Sequence, residues 1–246
     1  LAISTAWNYA HAKNGSQIIE EIKKLGFGQI ELNFSLERIT LEEILGFVKQ
    51  GEIKVSSVHN FCPIPEGLAK EIALPDYYNL ASFDETERQK AVFFTKKTID
   101  TAKGFAAEAV VLHCGRNEIY DSTRKLIVLY QKGLKDSAQF QEAKIEMRKA
   151  RKKVAQKHFA QALKSLKELA NYAKDNNIAL GIENRFYWRE IPSLDEVGII
   201  LEKFKKYPVY YWHDTGHARI FEDLGFVRQN AYLDLYYSKM LGRHLH

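Results

Sequence analysis

Short apolar runs alternate with amphipathic helical stretches along the whole chain, and this alternation leaves few folds open. Apolar runs at 1–7, 29–33, 53–59, 108–113, 178–183, 208–214 and 241–246 read as strands. Between them lie helix signals: Asn14-Gly15-Ser16 opens a striped body that Gly26 closes, and Thr40-Leu41-Glu42-Glu43 has capping-box spacing. Helices are also predicted over 85–103, over 121–176 with a break near Gly133, and from Ser193. Phe140, Met147, Val154, Leu163, Leu166 and Leu169 are spaced for one buried face of the long helical segment. The connection after the third strand, with Pro63, Pro65 and Pro75, is too long for mere linkage and reads as a candidate lid.

Strand-helix repetition of this kind builds a parallel α/β fold, either an open doubly wound sheet or a closed barrel. The first would carry a glycine-rich phosphate loop after its first strand, and none is present. A (β/α)8 TIM barrel is therefore expected, and such barrels take about 250 residues. Seven β-units in 246 residues are one short, so the expectation is a single barrel domain over 1–246 that lacks its last βα unit and is truncated at its C-terminus. A hydrophobic content of 46% against 27% charged suits a chain with a large core and argues against disorder. Two cysteines make no disulfide framework and no long apolar run suggests a membrane span, so the expected compartment is cytoplasmic. The net charge of +5 permits a polyanionic partner without requiring one.

The predicted strands end near Glu31, His59, His113, Glu183, Asp214 and His244. In a parallel barrel all these ends share one mouth, so six groups of metal-ligand or acid/base type converge there. Glu183 closes the apolar run Ile178-Ala179-Leu180-Gly181-Ile182, where an unpaired carboxylate would be costly and a bound cation would supply a partner. Asp214 makes the same case after Tyr210-Tyr211-Trp212, and His217 follows it across a glycine turn. His213 has the opposite strand parity from Asp214 and points toward the helices, whereas His246 shares the parity of His244. Cys62 and Cys114 lack paired zinc spacing and read as small buried thiols, and His158 reads as packing within a helix. The basic run Arg148-Lys149-Ala150-Arg151-Lys152-Lys153 has no interleaved aromatics and reads as a solvated helix face.

Val58-His59, Val111-Leu112-His113, Gly181-Ile182-Glu183-Asn184, Asp214-Thr215-Gly216-His217-Ala218 and His244 resemble the successive metal-site segments of the xylose isomerase-like TIM barrels. That family (AP endonuclease family 2) includes sugar and sugar phosphate isomerases, epimerases and endonuclease IV. The resemblance implies Glu183, Asp214 and His244 as three of four ligands of a divalent metal, with Glu183 also an acid/base, and His217 as a substrate contact or second-metal ligand. His59 and His113 are similar to the histidines that give endonuclease IV its zinc cluster. The second acid/base glutamate of the epimerases, expected on the eighth strand, has no counterpart in the chain.

The leading expectation is a metal-dependent isomerase or epimerase acting on a sugar, sugar phosphate or polyol by proton transfer through an enediolate. Its cofactor would be a divalent ion (Mn, Zn, Mg or Co), and its partner a small molecule, with a homo-oligomer left open. Asn184, Arg185 and His217 would contact substrate, and Trp7 would add an apolar wall. One alternative is an endonuclease IV-like zinc phosphodiesterase acting on abasic DNA, although the lid carries Glu66, Glu71 and Asp76 against Lys70, an acidic balance that disfavours nucleic acid. The other is a non-catalytic ligand-binding barrel.

Overall fold

The computed structural model describes residues 1–245, so His246 falls outside the described residues. Seven parallel strands form one sheet in sequential order: β1 (Ile3–Ser4), β2 (Gln29–Leu32), β3 (Lys54–His59), β4 (Ala109–Leu112), β5 (Ala179–Glu183), β6 (Val209–Asp214) and β7 (Met240–His244). The crossovers carry α1 (Gly15–Lys24), α2 (Arg38–Lys49), α3 (Glu85–Gly104), α4 (Thr123–Gln131) with α5 (Ala138–Asp175), α6 (Leu194–Lys203), and α7 (Thr215–Asp223) with α8 (Ala231–Tyr236). The sheet curls as seven staves of an eight-stave barrel. Among the described residues, β1 and β7 each pair on one side only.

Local chemistry sets these boundaries. The Asn14 side chain caps α1 by accepting from the Gln17 amide, Asp84 caps α3, and Ser193 with Glu196 forms a complete capping box on α6. The break between α4 and α5 falls at the expected glycine, since Gly133 takes φ of 72° and Ser137 then caps α5. Phe140, Met147, Leu166 and Leu169 are buried along α5, with Val154 and Leu163 at the margin of that face. β1 is shorter than expected, because the chain turns into a 3₁₀ turn at Thr5–Trp7. There the Thr5 hydroxyl donates to Asn33 Oδ1 and accepts from the Asn33 amide, locking the turn to the end of β2.

Strand parity divides the core into two layers. Ile30, Leu32, Val58, Val110, Leu112, Leu180 and Ile182 face outward and pack against helix residues such as Ile19, Ile22, Ile44, Ile99 and Leu166. Inside the sheet, Trp212 packs with Ala109 and Val111. A β-carbon on Gly181 would stand 2.7 Å from Trp212 Cε3, and one on Gly242 would collide with the same indole. Two glycines thus make room for one large ring, which forms the floor beneath the rim.

Candidate metal and substrate site

Register brings the rim residues together. Glu183 is level with Trp212 across β5 and β6, and Asp214 is level with His244 across β6 and β7. Glu31 on β2, His59 on β3 and His113 just past β4 complete the ring. All six line one cavity of about 600 Å³, joined there by Arg185 and His217. The cavity also reaches Ser4 beside β2 and Gly242 on β7, so it runs along the open side of the sheet.

Glu183 is the hub. Its Oε2 lies 2.8 Å from His113 Nε2, 4.0 Å from His59 Nε2, 3.9 Å from His217 Nδ1 and 2.5 Å from Arg185 Nη1. Its Oε1 lies 2.7 Å from His244 Nδ1, and that nitrogen is also 3.5 Å from Asp214 Oδ2. The other His244 nitrogen, Nε2, is 3.1 Å from Glu31 Oε2. Arg185 reaches from Glu183 to Glu190 Oε1 at 3.0 Å, and Glu31 and Asp214 face His244 instead, so four carboxylates (Glu31, Glu183, Glu190 and Asp214), each less than a tenth exposed, gather around one guanidinium and one imidazole.

Burial raises the Glu183 carboxyl, but His113, His244 and Arg185 outweigh it and hold the group well below the usual carboxylate range. Asp214, also raised by burial and lowered more strongly by His244 and His217, sits at about 2. Burial keeps His59, His113 and His217 below the ordinary imidazole value and so neutral at pH 7. For His244 burial pulls the same way, but Glu31, Asp214 and Glu183 prevail and push it up to about 12.

The donor set fits a divalent cation. His59, His113 and Glu183 form one group whose ligand atoms lie within 4.8 Å of one another, and Glu183, Asp214 and His217 form another. His113 Nε2 lies 2.8 Å from the Glu183 oxygen, and its Nδ1 has no hydrogen-bond partner among the described residues. A buried, neutral imidazole nitrogen held against a buried carboxylate has the disposition of a shared ligand pair. The surplus of buried negative charge asks for the same species.

Other candidates fall elsewhere. Asn184 does not face the cavity: its amide donates to the Asp214 carbonyl and its Oδ1 accepts from the Asp214 amide and the Tyr211 hydroxyl, so it fastens β5 to β6. Arg185, by contrast, lines the cavity and supplies Glu183 with a charged partner. Trp7, half exposed on the 3₁₀ turn, stacks edge-on to His11 away from the cavity lining. His213 turns outward, within 2.6 Å of the Tyr211 hydroxyl. Cys62 and Cys114 are buried free thiols, both held protonated by burial. The connection between β3 and α3 is pinned at Cys62 by Thr98 and at Asp76 by Arg116, and Pro75 reaches the cavity. Sequence reading missed Glu190, seven positions beyond Glu183 in a loop with no periodicity to mark it, and Ser57, whose hydroxyl donates to Glu31 at 2.8 Å.

No helix among the described residues is long and apolar enough to cross a membrane. No curated protein matches the chain in sequence. In fold it is similar to the 3-keto-D-glucoside 4-epimerase YcjR from E. coli, with a TM-score of 0.65 and 13% identity over 99% of this chain and 77% of that one. It is also similar to a D-tagatose 3-epimerase-like protein (TM-score 0.59, 17% identity, 100% and 75% covered). A third likeness is to the D-allulose 3-epimerase of Methylomonas sp. in complex with D-allulose (TM-score 0.60, 12% identity, 94% and 65% covered). These likenesses concern the fold. Residues 19–246 match the family described as the xylose isomerase-like TIM barrel, and the chain belongs to that family.

Proposed function

We propose that the protein is a divalent-metal-dependent isomerase or epimerase of a small sugar, sugar phosphate or polyol. The observation that carries this reading is the single carboxylate, Glu183, on which five neighbouring groups converge in a buried site with surplus negative charge. The names of the epimerases that share the fold agree with it. Glu183, Asp214 and His244 would hold the metal, with His217, His59 and His113 placed to contribute. When bound, a divalent cation would polarise adjacent oxygens of an open-chain ketose and acidify the carbon-bound hydrogen between them.

The chain's own residues then divide the remaining work. Glu183, kept ionised by its neighbours, is available to accept a proton from carbon. Arg185 and Glu190 form a fixed pair that holds Glu183 Oε2 in place. Trp212 closes the floor, and the 60–84 connection, anchored through Asp76 to Arg116, excludes water from the mouth.

The test is solvent-deuterium incorporation across a panel of ketoses and ketose phosphates with added Mn, Co, Zn or Mg. Exchange at carbon on at least one substrate is expected, with Glu183→Gln lowering it by about 10²–10⁴-fold. Absence of exchange with every metal and sugar, or full turnover in Glu183→Gln, would overturn the assignment. The grouping of His59 and His113 with Glu183 favours a second reading, a zinc phosphodiesterase. Cleavage of abasic DNA without ketose exchange would select it.

A further inference from the structure

Glu31 is buried and lies on β2, five strands from β7 in the order of the sheet, yet it reaches His244 on β7 at 3.1 Å. This contact joins residues 213 apart in sequence and crosses the open side of the sheet, where no backbone ladder joins β1 to β7 among the described residues. The two nitrogens of the imidazole are used differently. Nδ1 faces Glu183 Oε1 at 2.7 Å and Asp214 Oδ2 at 3.5 Å, the side on which a cation would sit. Among the described residues Nε2 faces Glu31, and the Ser57 hydroxyl donates to the same Glu31 oxygen at 2.8 Å, which fixes the direction of the carboxylate.

We infer that Glu31 is a positioning residue for His244: by accepting the Nε2 proton it fixes the tautomer that presents Nδ1 to a divalent cation and holds the ring in its plane. This rests on the reading of His244 as a metal ligand. A carboxylate behind a ligating imidazole orients the ring and raises its basicity, so its loss weakens metal binding without removing a ligand. A mere tie between β2 and β7 would instead lower stability and leave the affinity of the folded protein unchanged.

Metal binding is measured directly with cobalt(II) and manganese(II) by competition with a chromophoric chelator on the parent, Glu31→Gln, Glu31→Ala and His244→Ala proteins. The cobalt(II) visible spectrum and the melting temperature of the metal-free forms are recorded beside it. Glu31→Ala is expected to bind about 10–100-fold more weakly and to show an altered cobalt spectrum. Glu31→Gln, which keeps an acceptor of nearly the same shape, is expected to fall between Glu31→Ala and the parent and guards against a folding failure of the alanine variant. If His244→Ala weakens binding while both Glu31 variants stay within twofold of the parent, the inference is overturned and the ligand assignment stands. If His244→Ala binds as the parent does, both are overturned.

Discussion

Trp212 is the residue on which the depth of the site depends. Its ring lies 5.4 Å from the His244 ring and occupies the space left by Gly181 and Gly242, the second of them two positions before His244 on β7. Gly242→Ala would put a methyl group into the indole and leave the ring nowhere to go in a packed interior. A loss of about 1–3 kcal/mol is expected from overpacking, read by urea denaturation, together with weaker cobalt(II) binding because His244 shifts with the strand. Unchanged stability would show that the indole relaxes freely. At this scale Glu183, Asp214 and His244 were legible in the sequence, because strand parity alone places every second residue inward. The pairings were not. Arg185 adjoins Glu183 through a turn whose course no pattern fixes, and Glu31 meets His244 only because the sheet curls far enough to bring β2 round to β7.

Among the elements, α5 organises the site from behind. The basic run on it reads in sequence as a solvated face, and Arg148, Lys149, Lys152 and Lys153 are exposed, but Arg151 is buried. Its guanidinium donates to the Trp188 and Glu190 carbonyls, each at 2.6 Å, and to Glu196 Oε2 at 2.7 Å, so one side chain ties α5 to the loop carrying Glu190 and to the capping box of α6. Arg151 falls between Met147 and Val154 of the apolar stripe, a placement masked by its basic neighbours. His158, two turns further along the same face of α5, is within 2.7 Å of the Ala81 carbonyl and accepts from the Glu118 amide, fastening the end of the 60–84 connection. Arg151→Ala leaves Glu196 buried without its partner, and a cost of about 3–5 kcal/mol is expected. Urea unfolding of Arg151→Ala beside Lys152→Ala checks this: the exposed neighbour should change stability by less than about 0.5 kcal/mol. Equal effects of the two would remove Arg151 from this role.

For the whole molecule, the balance of histidines sets how the metal-free protein responds to pH. His59, His113 and His217 are lowered by burial, so as pH falls through about 6.5, the ordinary imidazole value, the unfolded chain takes up protons that the folded chain refuses. Their contribution to stability is present above that value and is lost on acidification. His244 runs the other way: raised against burial by Glu31, Asp214 and Glu183, its contribution is complete below about 6.5 and declines as pH rises toward about 12. Below about 6.5 the His244 contribution is already complete while those of the other three are being lost, so acidification there weakens the fold. The metal-free protein should therefore lose melting temperature between about pH 6.5 and pH 5, and decline again from pH 7.5 toward pH 9. A bound cation would replace the His244 Nδ1 proton beside Glu183 and Asp214, so metal binding should release protons at pH 8 and abolish the alkaline decline. Scanning fluorimetry over pH 5–9 with and without cobalt(II), and calorimetry of metal binding in buffers of different ionisation enthalpy, measure both effects. A metal-free melting temperature that does not decline between pH 7.5 and pH 9, or metal binding without proton release, would mean that His244 does not carry the charge its three carboxylates impose.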